Sequence, residues 1–266
     1  MRNSIKNGLG LTTWCEVGIG ISEVRDPWQI GGTDELIEDG AKMMRLVFPD
    51  ADAILKKIGG NTQQGNVNHV QFTEPLSEME SFYDIWDELR DYELKEFVFP
   101  AMPKCTNAEE AFMGEKIRKF ECNMPALKNA THMFYLCTKL QEYKGDLSNL
   151  EDGSRMFLQC ESLKSFTEPL PKLRNGLEMF YCCYSLRDFS SDLSSLKNGD
   201  GMFVGCPLSK KSVENIVKTI GTADKEDTAI TIGYGKGELT PQEIKKYKAV
   251  LEKKNWDATF IEVQDA

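Results

Sequence analysis

The chain has 266 residues, of which 28% are charged and 41% hydrophobic, a composition typical of a folded protein. Its formal net charge of −10 and sequence pI near 4.9 argue against a general nucleic-acid binder, because phosphate contacts need clustered Lys and Arg. No stretch approaches the ~18 consecutive apolar residues of a membrane helix, so we expect no membrane insertion.

The first 69 residues contain no internal repeat, and we predict that 1–69 form a separate N-terminal unit, either a cap or an attachment module. Capping residues and Gly stops predict two helices, over 33–48 and 50–59. The segment 61–68 is rich in Gln, Asn and Gly and is predicted to be a linker. The chain start lacks the apolar segment and cleavage site of a secretory signal, so we expect reduced thiols.

A Met-Phe pair then recurs along the chain with a constant period. The pairs are Met133-Phe134, Met156-Phe157, Met179-Phe180 and Met202-Phe203, each 23 residues after the last. Four residues after each Met lies a cysteine: Cys137, Cys160, Cys183 and Cys206. Leucines keep the same period, and the pattern extends upstream in weaker form. We predict that these Met, Phe and Cys columns form the core of the scaffold.

Further upstream, Phe72-Thr-Glu-Pro-Leu76 repeats letter for letter as Phe166-Thr-Glu-Pro-Leu170, and the coil that follows the first copy contains a predicted insertion around 84–88. We therefore count about six coils over 70–208. A single 23-residue unit cannot bury its own apolar side, whereas stacked units share a continuous core.

Each repeat has three predicted parts. The Leu-x-x-Phe/Tyr segment is expected to add one short strand to a parallel sheet. The Asn/Asp-Gly step is expected to be a turn in which Gly supplies a positive φ. The Met-Phe-x-x-Cys segment is predicted to be a helical or 3₁₀ turn on the opposite wall.

From residue 209 the repeat gives way to a predicted helix-strand-helix-strand unit. Helical spacing of apolar residues begins near Val213, and 229–233 is predicted to be a strand. Thr240-Pro-Gln-Glu243 is a capping box that opens a helix to about Lys254, and 256–263 is predicted to be a closing strand. This unit would cover the open end of the repeats, which otherwise exposes apolar core and strand edges.

The segments SRMFLQCESLKSF and LEMFYCCYSLRDF resemble BspA-like leucine-rich repeats, with their Met-Phe-x-x-Cys-x-x-Leu core. The resemblance covers about half of the chain, most clearly 94–208, and ends where Cys206-Pro-Leu-Ser departs from the pattern. It implies a non-enzymatic surface or adhesion module of a kind found in proteins of gut bacteria and phages. We predict an α/β protein: a leucine-rich-repeat solenoid of about six coils over 70–208, with a parallel sheet and an α/β cap over 209–266.

The cysteine column could in principle be a metal or disulfide ladder. Parallel stacked side chains suit disulfide geometry poorly, and no Cys-x-x-Cys occurs, so buried structural thiols are the favoured interpretation. Neither His69 nor His132 lies near a nucleophile motif, and His132 is expected to be exposed. Gly233-Tyr-Gly-Lys-Gly237 does not have the spacing of a phosphate loop and is interpreted as a turn before a helix. We therefore expect no catalytic residue, cofactor or metal.

The residue after the strand leucine is basic in four of five coils. This column comprises Lys95, Arg118, Gln141, Lys164 and Arg187. Two interpretations stay open: a solvated ladder that deters edge aggregation, or a ligand-facing wall for an anionic glycan or an acidic protein patch.

The leading functional hypothesis is a structural or adhesion protein of a bacteriophage particle, such as a tail, fibre or decoration component, assembled in the host cytoplasm. Its expected partners are other virion proteins or a host-surface protein or glycan, within an oligomeric assembly. The alternative is a bacterial cell-surface adhesin. A glycan hydrolase is a third class, since carboxylate pairs such as Asp84 and Asp87 occur without a distinguishing context.

Overall fold

The computed structural model describes residues 101–225 and 228–264, together with the backbone of two short strands at 69–71 and 96–98. The predicted helices and linker of the N-terminal unit, and the insertion around 84–88, lie outside the described residues. The elements are β1 (His69–Gln71), β2 (Glu96–Val98), β3 (Lys119–Glu121), β4 (Glu142–Lys144), β5 (Ser165–Phe166), β6 (Asp188–Phe189), β7 (Gly199–Phe203), α1 (Lys210–Thr219), β8 (Thr228–Gly235), α2 (Pro241–Glu252) and β9 (Trp256–Val263).

The strands of the repeats pair in parallel, as predicted for the Leu-x-x-Phe/Tyr segments. They form the sheets β1-β2-β3-β4 and β5-β6, with Phe97 opposite Phe120 and Phe120 opposite Tyr143. From β3 onward the central aromatic of each strand is buried, and the strand residues before it are exposed or half-buried. The β1–β2 register places Val70, and not Phe72, opposite Phe97, which makes that coil 27 residues long.

A second parallel ladder runs along Asn107, Asn129, Asp152, Asn175 and Asn198. Each side-chain oxygen accepts the backbone N–H two residues later, as when Asp152 Oδ1 accepts from Ser154 N at 2.9 Å, which is an Asx turn. The side chains also bond to one another: Asn175 Nδ2 donates to Asp152 Oδ2 at 3.1 Å, and Asn198 Nδ2 to Asn175 Oδ1 at 3.0 Å. The ladder therefore satisfies one backbone donor in each turn and links the last three turns through their side chains.

The Met-Phe-x-x-Cys segments are neither helical nor 3₁₀, so that prediction is wrong. They are successive β-turns in which Met133 N donates to Ala130 O at 3.1 Å and Cys137 N to Phe134 O at 3.0 Å. Alternate N–H groups donate instead to the next repeat, as Phe134 N does to Met156 O at 2.8 Å. A helix would keep these donors within its own turn. The φ values of +56° at His132 and +64° at Leu136 are those of type II turns.

The repeated glycine does not supply the positive φ, contrary to the prediction. Gly153 and Gly176 have ordinary φ values, and the left-handed residues lie two positions later, at Arg155 and Glu178. A Cβ on Gly153 would instead lie 3.1 Å from the sulfur of Met179. The glycine is therefore needed because the methionine of the following repeat packs directly against it.

Two stacks of aromatic rings fill the core. One contains Phe112, Phe134, Phe157, Phe180 and Phe203, with successive centroids 5.3–5.7 Å apart. The other follows the strands through Phe120, Tyr143, Phe166 and Phe189 at 5.7–6.2 Å. Rings of the two stacks meet edge to face, for example Phe112 with Phe120 at 4.8 Å. Such pairs contribute about 0.5–1.5 kcal/mol each beyond area burial, so the rings add to the hydrogen bonds that join neighbouring repeats.

The C-terminal elements match the predicted helix-strand-helix-strand order, and α2 begins after Thr240 with the predicted capping box. Ser212 of α1 lies 23 residues after Phe189, and its hydroxyl accepts from Phe189 N and donates to Arg187 O, both at 2.8 Å. Helix α1 thus occupies the place of the next strand. Strands β8 and β9 extend from β7 in parallel. Neither described helix is long and apolar enough to cross a membrane.

Candidate functional site

The Met, Phe and Cys columns of the scaffold lie wholly inside the protein. Their twelve members are Met133, Phe134, Cys137, Met156, Phe157, Cys160, Met179, Phe180, Cys183, Met202, Phe203 and Cys206, and each has 0% exposure. A ligand therefore cannot reach them, and only the variable columns between them are available for binding.

The cysteine thiols have a role that the sequence did not suggest. Cys137 Sγ donates to Phe112 O at 3.0 Å, and Cys160 Sγ donates to Phe134 O at 3.2 Å, so each thiol links its repeat to the preceding one. Burial raises the pKa of both thiols well above the ordinary value. The sulfur atoms therefore stay protonated donors at neutral pH, whereas metal binding requires thiolate. This arrangement supports the interpretation as structural thiols.

The basic column is exposed along the strand side, and we call it the strand-face column: Arg118, Gln141, Lys164 and Arg187. Lys95, its predicted first member, lies outside the described residues. Backbone bonds keep neighbours in register, with Gln141 N donating to Arg118 O at 2.8 Å and Arg187 N to Lys164 O at 3.1 Å. Within the described residues Arg118 and Lys164 make no ion pair, whereas Arg187 Nη2 lies 2.8 Å from Glu238 Oε1 of the C-terminal unit.

The adjacent column consists of Lys119, Glu142, Ser165 and Asp188 within the strands, and it is of mixed charge. Glu142 pairs with Lys144 of the same strand at 2.9 Å. Between two exposed side chains such a pair contributes little to stability. The strand side therefore presents the basic strand-face column beside a column of mixed charge in which Glu142 is paired with Lys144.

The turn side carries an apolar surface that sequence reasoning missed. Tyr135, Leu158 and Tyr181, two residues after successive methionines, are half-buried, while Leu136 and Tyr184 are 39% and 44% exposed. The sequence shows large apolar residues recurring in this column. The expected helical turn, however, did not indicate that their side chains lie at the protein surface.

His132 lies beside this surface and is half-buried rather than exposed as predicted. Its ring meets Tyr135 edge to face, with centroids 5.7 Å apart. Of the loop Gly233-Tyr-Gly-Lys-Gly237, the first part belongs to strand β8, and only Gly237 is a turn glycine with a positive φ. In the ranges 101–225 and 228–264, no group of three His, Cys, Asp or Glu side chains could hold a metal ion.

Comparison with protein-family models gives one match. The model of the BspA type leucine rich repeat region matches residues 93–224 in six copies. No curated protein and no solved structure matches the chain. The matched range begins just before β2 and runs through α1 to the segment after it.

Proposed function

Because the chain belongs, over residues 93–224, to the BspA-type leucine-rich-repeat family, we propose that it is a non-enzymatic binding protein whose strand face holds an acidic partner protein. The observation that carries this proposal is the strand-face column. Arg118 and Lys164 project from backbone-registered repeats without an ion pair among the described residues, in a chain with a net charge of −10. Cations without a carboxylate partner, held in fixed register, are complementary to an acidic protein surface.

The proposed framework is one solenoid of about six coils over 70–208, with the N-terminal unit 1–69 attached ahead of it and 209–266 closing its end. The registers at 23-residue steps and the place of Ser212 support this arrangement. Stacking at fixed spacing gives a rigid, extended surface, which suits recognition of a partner more than enclosure of a substrate.

The binding proposal can be tested by charge reversal with an immobilised glutamate-rich peptide as the probe. We expect Arg118→Glu combined with Lys164→Glu to abolish binding, and the wild-type affinity to fall with added salt. Arg187 is left unchanged because it also pairs with Glu238. The matched control is Lys245→Glu with Lys248→Glu, which makes the same charge change on the exposed side of α2. Equal loss in both variants, or binding that persists in the first, would contradict the proposal.

We further propose that the protein works in a bacteriophage particle, as a tail, fibre or decoration component. The support for this setting is the resemblance of the repeats to BspA-like repeats, a resemblance that implies a kind of module found in proteins of gut bacteria and phages. Mass spectrometry of purified particles should detect the chain in a constant ratio to the capsid protein. Since the family is one of repeat-based surface and adhesion proteins, a bacterial cell surface is the alternative setting. Surface biotinylation of intact cells would then label the chain, and the particles would lack it.

A further inference from the structure

A second polar surface lies on the flank of the repeats, away from the strand-face column. It is an open depression of about 460 Å³, which we call the flank depression, lined by Glu151, Lys172, Arg174, Ser194, Ser195 and Lys197.

The floor of the flank depression is built by the repeat itself. Glu151, Arg174 and Lys197 occupy one column at 23-residue steps. Arg174 N donates to Glu151 O at 2.9 Å, and Lys197 N donates to Arg174 O at 2.8 Å. Three consecutive repeats therefore hold these backbones in fixed register, and Arg174 and Lys197 line the same depression together with Lys172.

The acidic groups near the depression already have lysine partners. Lys197 Nζ lies 2.6 Å from Asp224 Oδ1, and this contact is the main reason that the pKa of Asp224 is lowered. Glu151 Oε1 lies 3.9 Å from Lys128 Nζ, on the side away from Arg174 in the column. Two cations of the depression, on Lys172 and Arg174, have no carboxylate within 4.0 Å among the described residues, although Arg174 also contributes from a greater distance to the lowered pKa of Asp224.

Neutral donors complete the lining. Lys172 is oriented by the side-chain oxygen of Asn149, at 2.5 Å from its Nζ, and keeps further N–H donors. Ser195 Oγ donates to Pro171 O at 2.6 Å. The exposed hydroxyl of Ser194 makes no hydrogen bond with the described residues, while its backbone N–H is held by Asp192 Oδ1 at 2.8 Å. The lining therefore includes an ammonium, a guanidinium and a hydroxyl that can donate to a ligand.

From these contacts we infer that the flank depression binds a tetrahedral oxyanion, a sulfate or phosphate group. The planar guanidinium of Arg174 offers two parallel donors, and Lys172 and Ser194 offer donors from other directions, which suits four oxygens better than the two of a carboxylate. Because the depression is open to water, a free ion should bind with a Kd on the order of millimolar. This inference does not depend on the proposed strand-face function, which uses different residues.

The test is an NMR titration of the full chain with sodium sulfate and with sodium phosphate, at constant ionic strength set by sodium chloride. We expect saturable shifts of the amides at 172–174 and 194–197. Lys172→Gln combined with Arg174→Gln should weaken binding about tenfold or more, because it removes the two charged donors. The control Lys245→Gln with Lys248→Gln removes the same charge from α2 and should leave the Kd unchanged.

Three results would overturn the inference: no saturable shift at these amides, equal weakening in the control, or tighter binding of sodium glucuronate than of sulfate. Arg174→Lys keeps the charge and should still weaken binding severalfold, since the two-pronged donor is lost. Arg118→Gln with Lys164→Gln should leave sulfate binding intact, even if it removes binding of the glutamate-rich peptide. Glucosamine 6-sulfate then identifies the source of the group: tighter binding than free sulfate indicates a sugar-borne ligand, and equal binding indicates the ion itself.

Discussion

Tyr143 stands in the strand-side ring stack where the neighbouring repeats have Phe120 and Phe166. Its ring is buried between theirs, and its hydroxyl has no hydrogen-bond partner among the described residues. Burial also raises the pKa of this hydroxyl well above its ordinary value. Gly145 provides the room, because a Cβ there would lie 2.7 Å from Tyr143 Oη. We therefore expect Tyr143→Phe to stabilise the protein.

The magnitude follows from two opposing terms. An unpaired buried hydroxyl costs about 1–3 kcal/mol relative to water. Removing the oxygen leaves a void of roughly 10 Å³, which at ~24 cal/mol per Å³ costs about 0.2 kcal/mol. The substitution should thus raise the free energy of unfolding by about 1–3 kcal/mol. For a protein of this size each kcal/mol corresponds to a Tm increase of about 2–4 °C.

Urea unfolding followed by circular dichroism measures the difference, and differential scanning calorimetry measures the Tm. The matched control is Phe166→Tyr, which adds a hydroxyl to the same stack one repeat later, where Glu168 stands in the position of Gly145. The free energy of unfolding of that variant should be lower than that of the wild type by about 1–3 kcal/mol. If Tyr143→Phe lowered the stability by more than about 0.5 kcal/mol, the hydroxyl would have a favourable partner and the reasoning would fail.

Three further predictions concern the C-terminal closure and the thiols. Lys254→Met should lower the free energy of unfolding in urea by about 2 kcal/mol, because the Lys254 ammonium donates to Val217 O at 3.1 Å and Ile220 O at 2.7 Å. The control Lys253→Met, at an exposed position, should change it by less than about 0.5 kcal/mol. Burial raises the pKa of the Cys160 thiol in the folded protein, so its contribution to the free energy of unfolding is present below pH 9 and lost as pH rises. Cys160→Ala should therefore reduce the stability loss between pH 8 and 10 by about 1.4 kcal/mol. An unchanged loss would contradict this. Of the seven described cysteines only Cys182 is not buried. Cys182→Ala should therefore remove one equivalent of rapid maleimide labelling from the native protein. Undiminished labelling would show that a different thiol is accessible to the reagent.

The features that could be predicted from the sequence are those with a local or periodic cause. One aromatic every 23 residues specifies parallel strands in register, because only that register stacks the rings. The start of α2 was predicted to the residue, since Thr240 and Glu243 satisfy each other's backbone donors without help from elsewhere. The strand at 256–263 was predicted with its observed bounds.

The failures arise where hydrogen bonds run between repeats. Alternate donors of each Met-Phe-x-x-Cys segment belong to the next coil, and no pattern within a single repeat shows this. The glycine was assigned a turn conformation because Asn-Gly commonly forms turns, but its real constraint is the packing of Met179 against Gly153. The strand-face column stays a prediction as a binding site. The flank depression could not be predicted from the sequence, because it depends on contacts between repeats and on the pairing of Lys197 with Asp224.

The position of Ser212 has a consequence for how the length of this protein can change. Its hydroxyl receives the N–H that a further strand would otherwise take, at the interval that separates two ordinary strands. Helix α1 can therefore close the repeats after any coil that presents the same backbone N–H, and the contact does not depend on the number of coils. Duplication or deletion of one 23-residue segment, such as 146–168, should preserve the closure. Gene duplication can then change the length of the stacked repeats in steps of roughly 4.8 Å without altering the two ends.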